Sequence, residues 1–146
     1  AYTYNRCTAD DITDVVKFLA SNRECQHNRE DNMRCYEHWQ CMATVRNLLK
    51  YEQPAGVLRI DGRITAFTLG EVFNDTLFVH IEKADHNIAG ASEAINRLFV
   101  NDILAEHPEL VYANREEDLG DPGLRQVKRA YNPVMMIQRY EMYKRV

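Results

Sequence analysis

The chain has 146 residues, 45% of them hydrophobic and 27% charged, enough for one domain with its own core and no need of disulfide staples. A net charge of -4 argues against non-specific nucleic-acid binding, and no apolar run approaches the roughly 18 residues that a membrane-spanning helix needs. With no signal peptide at its head the chain reads as soluble and cytoplasmic; Ala1 is not a start methionine, so it also reads as part of a longer product.

Tyr2 to Cys7 reads as an edge strand. Thr8 then offers a helix cap with Asp11 in capping-box register, and Ile12, Val15, Val16 and Leu19 follow at helical spacing. The polar stretch Asn22–Asn32 is expected as an exposed loop. A second helix is expected from Met33 to Tyr51, with Tyr36, Trp39, Ala43 and Leu49 facing the core. Val57–Ile60 starts a strand, Asp61-Gly62 is a two-residue hairpin signal, Ile64–Glu71 returns, and Asn74-Asp75 turns into Thr76–Glu82. A helix from Gly90 to Glu106 buries Ile95, Leu98, Phe99 and Ile103, and His107-Pro108 stops it. Leu110–Asn114 is the next strand, parallel to its neighbour across the helix. Pro122 opens a short helix to Ala130, and Val134–Tyr140 reads as a last strand. The order β-α-α-β-β-β-α-β-α-β gives a mixed sheet flanked by helices, of the α/β or α+β class.

Cys7, Cys25, Cys35 and Cys41 contain no C-x-x-C pair. Cys25, His27, Cys35, His38 and Cys41 could be gathered as a metal cluster, but their spacing matches no usual structural zinc pattern, so no metal is expected and the thiols read as reduced.

The stretch from Val79 to Asn96 passes from strand through a polar loop into a helix. Gly90 and Ala91 remove bulk where the helix starts, and Ser92 and Glu93 add a hydroxyl and a carboxylate. Unpaired N–H groups and the positive end of the macrodipole make such a start able to receive a phosphate or carboxylate. Close packing of the helix on a strand would ask for the same small residues, and both readings stand.

These stretches carry a resemblance. Gly56–Gly62, Ala66–Glu71, His80–Ala84, Gly90-Ala91 before Ala94-Ile95-Asn96, Asn114–Gly120 and Tyr131-Asn132-Pro133, in that order, are similar to the GNAT acyltransferase superfamily. In particular they resemble the C-terminal domain of proteins related to phosphatidylglycerol lysyltransferase. That family usually stands two GNAT-like halves in tandem, and the chain resembles the second. The resemblance implies transfer of an acyl or aminoacyl group, from an acyl-CoA thioester or an aminoacyl-tRNA, to an amine or hydroxyl acceptor. It also implies a partner half-domain or a homodimer. The superfamily's pyrophosphate loop, Gln/Arg-x-x-Gly-x-Gly/Ala, aligns with Asn87, Gly90 and Ser92, with Ala91 between. A leaving-group Tyr is often found in the helix after the fifth strand; Val127 stands near that place, and Tyr131 is the nearest phenol. A non-catalytic ligand-binding or interaction half is the alternative reading.

Residue chemistry gives the candidates. Aminolysis needs a base for the incoming proton, and Glu71, His80 and Glu82 lie on adjacent strands. Regular alternation places His80 and Glu82 on one face, where a carboxylate could orient the imidazole; a buried His satisfied by an acid has the same signature. Asn114 and Arg115 fall at the end of a parallel strand, where ligands gather in open sheets. Arg115 could hold an anion bidentately. Glu116 and Glu117, with Asp118 and Asp121, make a cationic amine plausible as a substrate group, or form a solvated face. Arg125, Lys128, Arg129, Arg139, Lys144 and Arg145 against Glu141 give the C-terminal stretch a positive balance that could steer a nucleotide, tRNA or anionic headgroup, or simply meet solvent.

Overall fold

A computed structural model describes residues 1–22, 32–118, 120–138, 140 and 142. They fall into two units, Ala1–Asn114 and Arg115–Val146. The first carries a five-stranded sheet whose spatial order is its chain order: β1 (Tyr2–Arg6), β2 (Ala55–Ile60), β3 (Arg63–Phe73), β4 (Thr76–Ala84) and β5 (Tyr112–Asn114). β1 to β4 are antiparallel; β5 joins β4 in parallel, as the crossover through a helix requires. The two tight turns are chemically determined. Asp61 and Gly62 take φ of 50° and 80°, the pair of positive angles that the expected hairpin turn needs, and Asn74 takes 55°.

α1 (Ile12–Ser21), α2 (Asn32–Arg46) and the single turn α3 (Leu48–Tyr51) follow β1. The Thr8 backbone N–H and hydroxyl both donate to the Asp11 carboxylate, at 2.8 and 3.0 Å, and a 3-10 turn at Ala9–Asp11 leads into α1. Val15, Phe18 and Leu19 of α1 pack with Cys41, Met42, Val45 and Leu48 and with Val57, Phe67, Leu69 and Ile81 of the sheet. α4 (Ala91–Glu106) contributes Phe99 and Ile103 against Leu77 and Val79, and Ile95 against Leu58 and Ala66. The first unit is therefore three layers, α1–α2, sheet, α4. Fully burying residues such as Phe67 or Phe99 stabilises it by about 1.5–3 kcal/mol each.

β1 is tied to the far end of α4. The Tyr4 hydroxyl donates to Asp102 at 2.8 Å, and the Arg6 guanidinium bonds both Asp102 and, at 2.9 Å, Glu106. Burial, then the bond to Asp102, holds the Tyr4 phenol well above its ordinary pKa.

Two expectations fail here. Tyr36, Trp39 and Leu49 are 65%, 60% and 55% exposed and Ala43 is exposed, so the aromatic stripe of α2 faces outward. The buried stripe is Cys41, Met42, Val45 and Leu48, which is where α1 and the sheet meet the helix. The last strand is also absent among the described residues: 134–138 carry no ladder, and Val134, Met135, Met136 and Ile137 are exposed. A strand exists only by pairing, and alternation alone supplies no partner.

In the second unit, α5 (Pro122–Ala130) starts where Pro122 predicts. Asp121 caps it, accepting from the Gly123 and Leu124 backbone N–H groups at 2.7 and 3.0 Å. Among the described residues no helix is long and apolar enough to cross a membrane. Of the residues weighed as metal ligands, Cys25 and His27 lie outside the described residues, as does most of the expected loop 22–32. No group of three or more His, Cys, Asp or Glu suited to a metal occurs among the described ones.

Candidate functional site

The site is organised by a defect in β4. The register with β3 steps from Leu69–Ile81 to Gly70–Val79, so His80 is the inserted residue of a β-bulge. Gly70 makes the step sterically allowed: a Cβ there would lie 2.5 Å from the Phe78 carbonyl oxygen. The bulge turns the strand over. Leu77 and Val79 pack on the α4 side, whereas Ile81 packs on the α1–α2 side.

His80 and Glu82 consequently do not share a face. His80 looks to the α2 side, its ring stacked on Phe78 with centroids 6.5 Å apart, and its Nε2 lies 3.3 Å from Glu71 Oε2. Glu82 looks to α4, where the Ser92 hydroxyl donates to one carboxylate oxygen at 3.0 Å and the Asn96 amide to the other at 2.7 Å. The expected His80–Glu82 pair is replaced by a His80–Glu71 pair, with Glu82 serving the start of α4. Asn96, 7% exposed, had not been singled out. Its signal was available: Ser92 and Asn96 stand one helical turn apart, two polar residues bordering an apolar stripe.

Two cavities adjoin the His80–Glu71 pair. One of about 330 Å³ is lined by Cys41, Thr44, Gln53, Leu69, His80 and Ile81. A larger one of about 1060 Å³ is lined by Glu71 with Arg6, Cys7, Thr44, Asn47, Gln53 and others. Thr44 and Gln53 border both, so the imidazole faces one space and its carboxylate the other. Burial, then the charge of Asp11, pushes the Cys7 thiol at the larger cavity up to about 11.

The expected phosphate loop is closed on itself. The Asn87 backbone N–H and side-chain amide both donate to Asp85 Oδ1 at 2.9 Å, and the Ile88 N–H donates to the Asp85 carbonyl at 3.0 Å. Gly90 caps α4 with φ of 80°, and a Cβ there would meet nothing within 4 Å. It is thus required for its backbone conformation and not for close packing. Ala91, in contrast, is buried. Both polar side chains of the expected loop are thus engaged by carboxylates, Asn87 by Asp85 and Ser92 by Glu82.

β5 pairs with β4 over Thr76–Phe78, ending at Asn114 beside Phe78, while β4 runs on to Ala84. Beyond Asn114 the second unit begins. Within it the Arg115 guanidinium lies 4.3 Å over the Tyr131 ring, so Tyr131 is a platform at the end of α5. The Arg115, Glu116 and Glu117 carbonyls all accept from Lys128 Nζ, at 2.6, 2.9 and 2.6 Å, a contact that sequence reading had not anticipated. Asp118 takes the Arg125 guanidinium at 2.5 and 3.0 Å. That bond, with the Gly120 N–H, holds the Asp118 carboxyl well below its usual range.

A family model described as phosphatidylglycerol lysyltransferase, C-terminal, matches residues 2–143. The chain belongs to that family. A solved structure from Bacteroides thetaiotaomicron, described as a conserved protein of unknown function, shares 34% identity and a TM-score of 0.83, covering 92% of this chain and 45% of its own. The chain thus spans less than half the length of that relative. A ribosomal-protein-alanine N-acetyltransferase from Brucella melitensis biovar Abortus superposes with a TM-score of 0.67 at 12% identity, over 97% of this chain and 99% of that one. An aminoglycoside N-acetyltransferase solved in complex with CoA gives 0.66 at 9% identity, over 99% and 95%. At such identities these two establish the fold, that of the GNAT acetyltransferases. No curated protein sequence matches.

Proposed function

We propose that this family member is a GNAT-fold transferase half that moves an acyl group, and in particular an aminoacyl group from an ester donor such as aminoacyl-tRNA, to an amine or hydroxyl. The observation that carries the reading is the Glu71–His80 pair on the bulge of β4, with a cavity on each side. An ester donor is favoured over coenzyme A because Asp85 and Glu82, which engage the Asn87 and Ser92 side chains, would repel a diphosphate.

In the tautomer whose Nε2–H donates to Glu71, Nδ1 is the basic nitrogen of His80. The acceptor amine or hydroxyl attacks the donor carbonyl, and the new C–N or C–O bond forms as Nδ1 takes the acceptor proton. Glu71 fixes the tautomer and stabilises the imidazolium. Collapse of the adduct breaks the ester bond, and the departing oxygen recovers the proton from His80. Glu82, held by Ser92 and Asn96, positions the turn into α4. Arg115 is assigned to an anionic substrate group, and Glu116 and Glu117 to a cationic one. Tyr131 serves Arg115, and Asn114 borders the parting of β4 and β5. The remaining length of the Bacteroides relative leaves room for a second half-domain as partner.

Turnover with aminoacyl-tRNA and acyl-CoA panels, in parallel with titration calorimetry, tests this. His80→Ala is expected to lower turnover roughly a hundredfold and Glu71→Gln roughly tenfold, both with unchanged melting. Near-normal turnover in both variants would make the pair structural. A second reading, a binding half without chemistry, draws on the closed loop; ligand titration without turnover by any donor would favour it.

A further inference from the structure

Successive carbonyls of an extended chain point to alternate sides, so three in a row cannot normally meet one atom. At 115–117 they do. Glu116 takes φ of 57°, a left-handed turn of the backbone, and the carbonyl oxygens of Arg115, Glu116 and Glu117 converge on Lys128 Nζ at 2.6–2.9 Å. Three acceptors match the three N–H bonds of an ammonium. We propose that these carbonyls form an ammonium site filled by Lys128, which makes Lys128 the positioning residue for the loop that carries Arg115.

The neighbours of the loop are consistent with a device whose purpose is placement. Lys128 and Tyr131 are one turn apart at the end of α5, and Tyr131 takes the Arg115 guanidinium on its ring. The same helix holds the other end of the loop through Arg125 on Asp118, which also accepts the Gly120 N–H at 3.0 Å. The amine that the backbone carbonyls of this loop grip belongs to the chain itself. Burial, then the charge of Arg115, draws the Lys128 amine below its usual pKa, so the carbonyl cage retains an ammonium that its surroundings partly resist. The inference concerns backbone geometry and stands whether or not the chain transfers an aminoacyl group.

Chemical rescue tests it on the full chain. Lys128→Ala removes the equivalent of propylammonium and should raise the NMR-detected exchange rates of the Gly120 and Asp121 amides at least tenfold. Propylammonium chloride should reverse this saturably. Tetramethylammonium, which has the same charge and no N–H, should not. Lys128→Met, which keeps an apolar stem and lacks the donor, should show the same loss without rescue. Exchange within twofold of the parent in Lys128→Met would show that the stem, and not the ammonium, holds the loop. Equal rescue by the two cations would reduce the effect to ionic strength. Either result overturns the proposal, as does loss of α5 protection in Lys128→Ala that propylammonium fails to restore.

Discussion

Gly70→Ala is the most informative single substitution in the first unit. The new Cβ would lie 2.5 Å from the Phe78 carbonyl oxygen and 3.2 Å from both Leu77 Cδ1 and Phe99 Cε1. Comfortable separations are roughly 3.5–4.0 Å. The Leu77 and Phe99 tips can swing away, but the carbonyl belongs to the backbone of β4, so the strand itself must retreat. Overpacking of this kind costs about 1–3 kcal/mol. Replacing glycine within a strand returns roughly 0.5–1 kcal/mol of chain entropy. The steric term is the larger, leaving a net loss of up to about 2.5 kcal/mol. For a domain of this size that is a fall of up to roughly 10 °C in melting temperature. Because Gly70 sits opposite Val79, beside the inserted His80, the retreat also lengthens the His80–Glu71 contact, and turnover should fall with stability. Thermal unfolding followed by circular dichroism provides the measurement. A variant melting at or above the parent temperature would refute the claim that the close approach of Phe78 requires a glycine.

Glu82 tests the second half of the site. Glu82→Ala strands the Asn96 amide in a buried position and should cost about 1–3 kcal/mol in urea unfolding. Glu82→Gln can accept from Asn96 and donate to the Ser92 hydroxyl, so it should stay within about 1 kcal/mol; equal losses in the two would argue against the bonding scheme. Asp11 gives a pH signature. Burial alone would raise its carboxyl, but the Thr8 backbone N–H and the Arg59 guanidinium at 2.5 Å outweigh burial and hold it below the ordinary 3.8. The folded chain therefore takes up this proton at lower pH than the unfolded chain. The contribution of Asp11 is complete above 3.8 and drains away as pH falls through the depressed value. Asp11→Asn should flatten the loss of stability below pH 4, and parallel profiles for variant and parent would contradict this assignment.

Most elements of the sheet were legible because local chemistry dictates them. Asp61-Gly62 and Asn74 take the left-handed angles their types tolerate, Thr8 and Asp11 form the capping box, and Ile95, Phe99 and Ile103 mark the inner stripe of α4. Where two faces of one helix are both partly apolar, sequence cannot choose. On α2 the aromatics Tyr36 and Trp39 look like core, yet contact with α1 selected Cys41, Met42 and Val45. The bulge was invisible for a different reason. Val79-His80-Ile81-Glu82 alternates without fault, and nothing within it reports that Gly70, on the neighbouring strand, lets the Phe78 carbonyl move in. One inserted residue was enough to send the expected His80–Glu82 pair to opposite sides and to give Glu71 the imidazole. The carbonyl cage around Lys128 was illegible because its acceptors are backbone atoms, which leave no trace in residue type.

The coincidence of spatial and chain order in the sheet bears on how the molecule assembles. β2, β3 and β4 are joined by two-residue turns, so closing them costs little chain entropy and can happen early. β1 can join only after α1, α2 and α3 have been folded back across the sheet, and β5 only after α4 has crossed it. The contacts of Tyr4 and Arg6 with Asp102 and Glu106 join opposite ends of the unit's chain, so they are expected to form after the meander. Substitutions at Tyr4 should accordingly speed unfolding while leaving the refolding rate almost unchanged, whereas those at Phe67 should act chiefly on refolding.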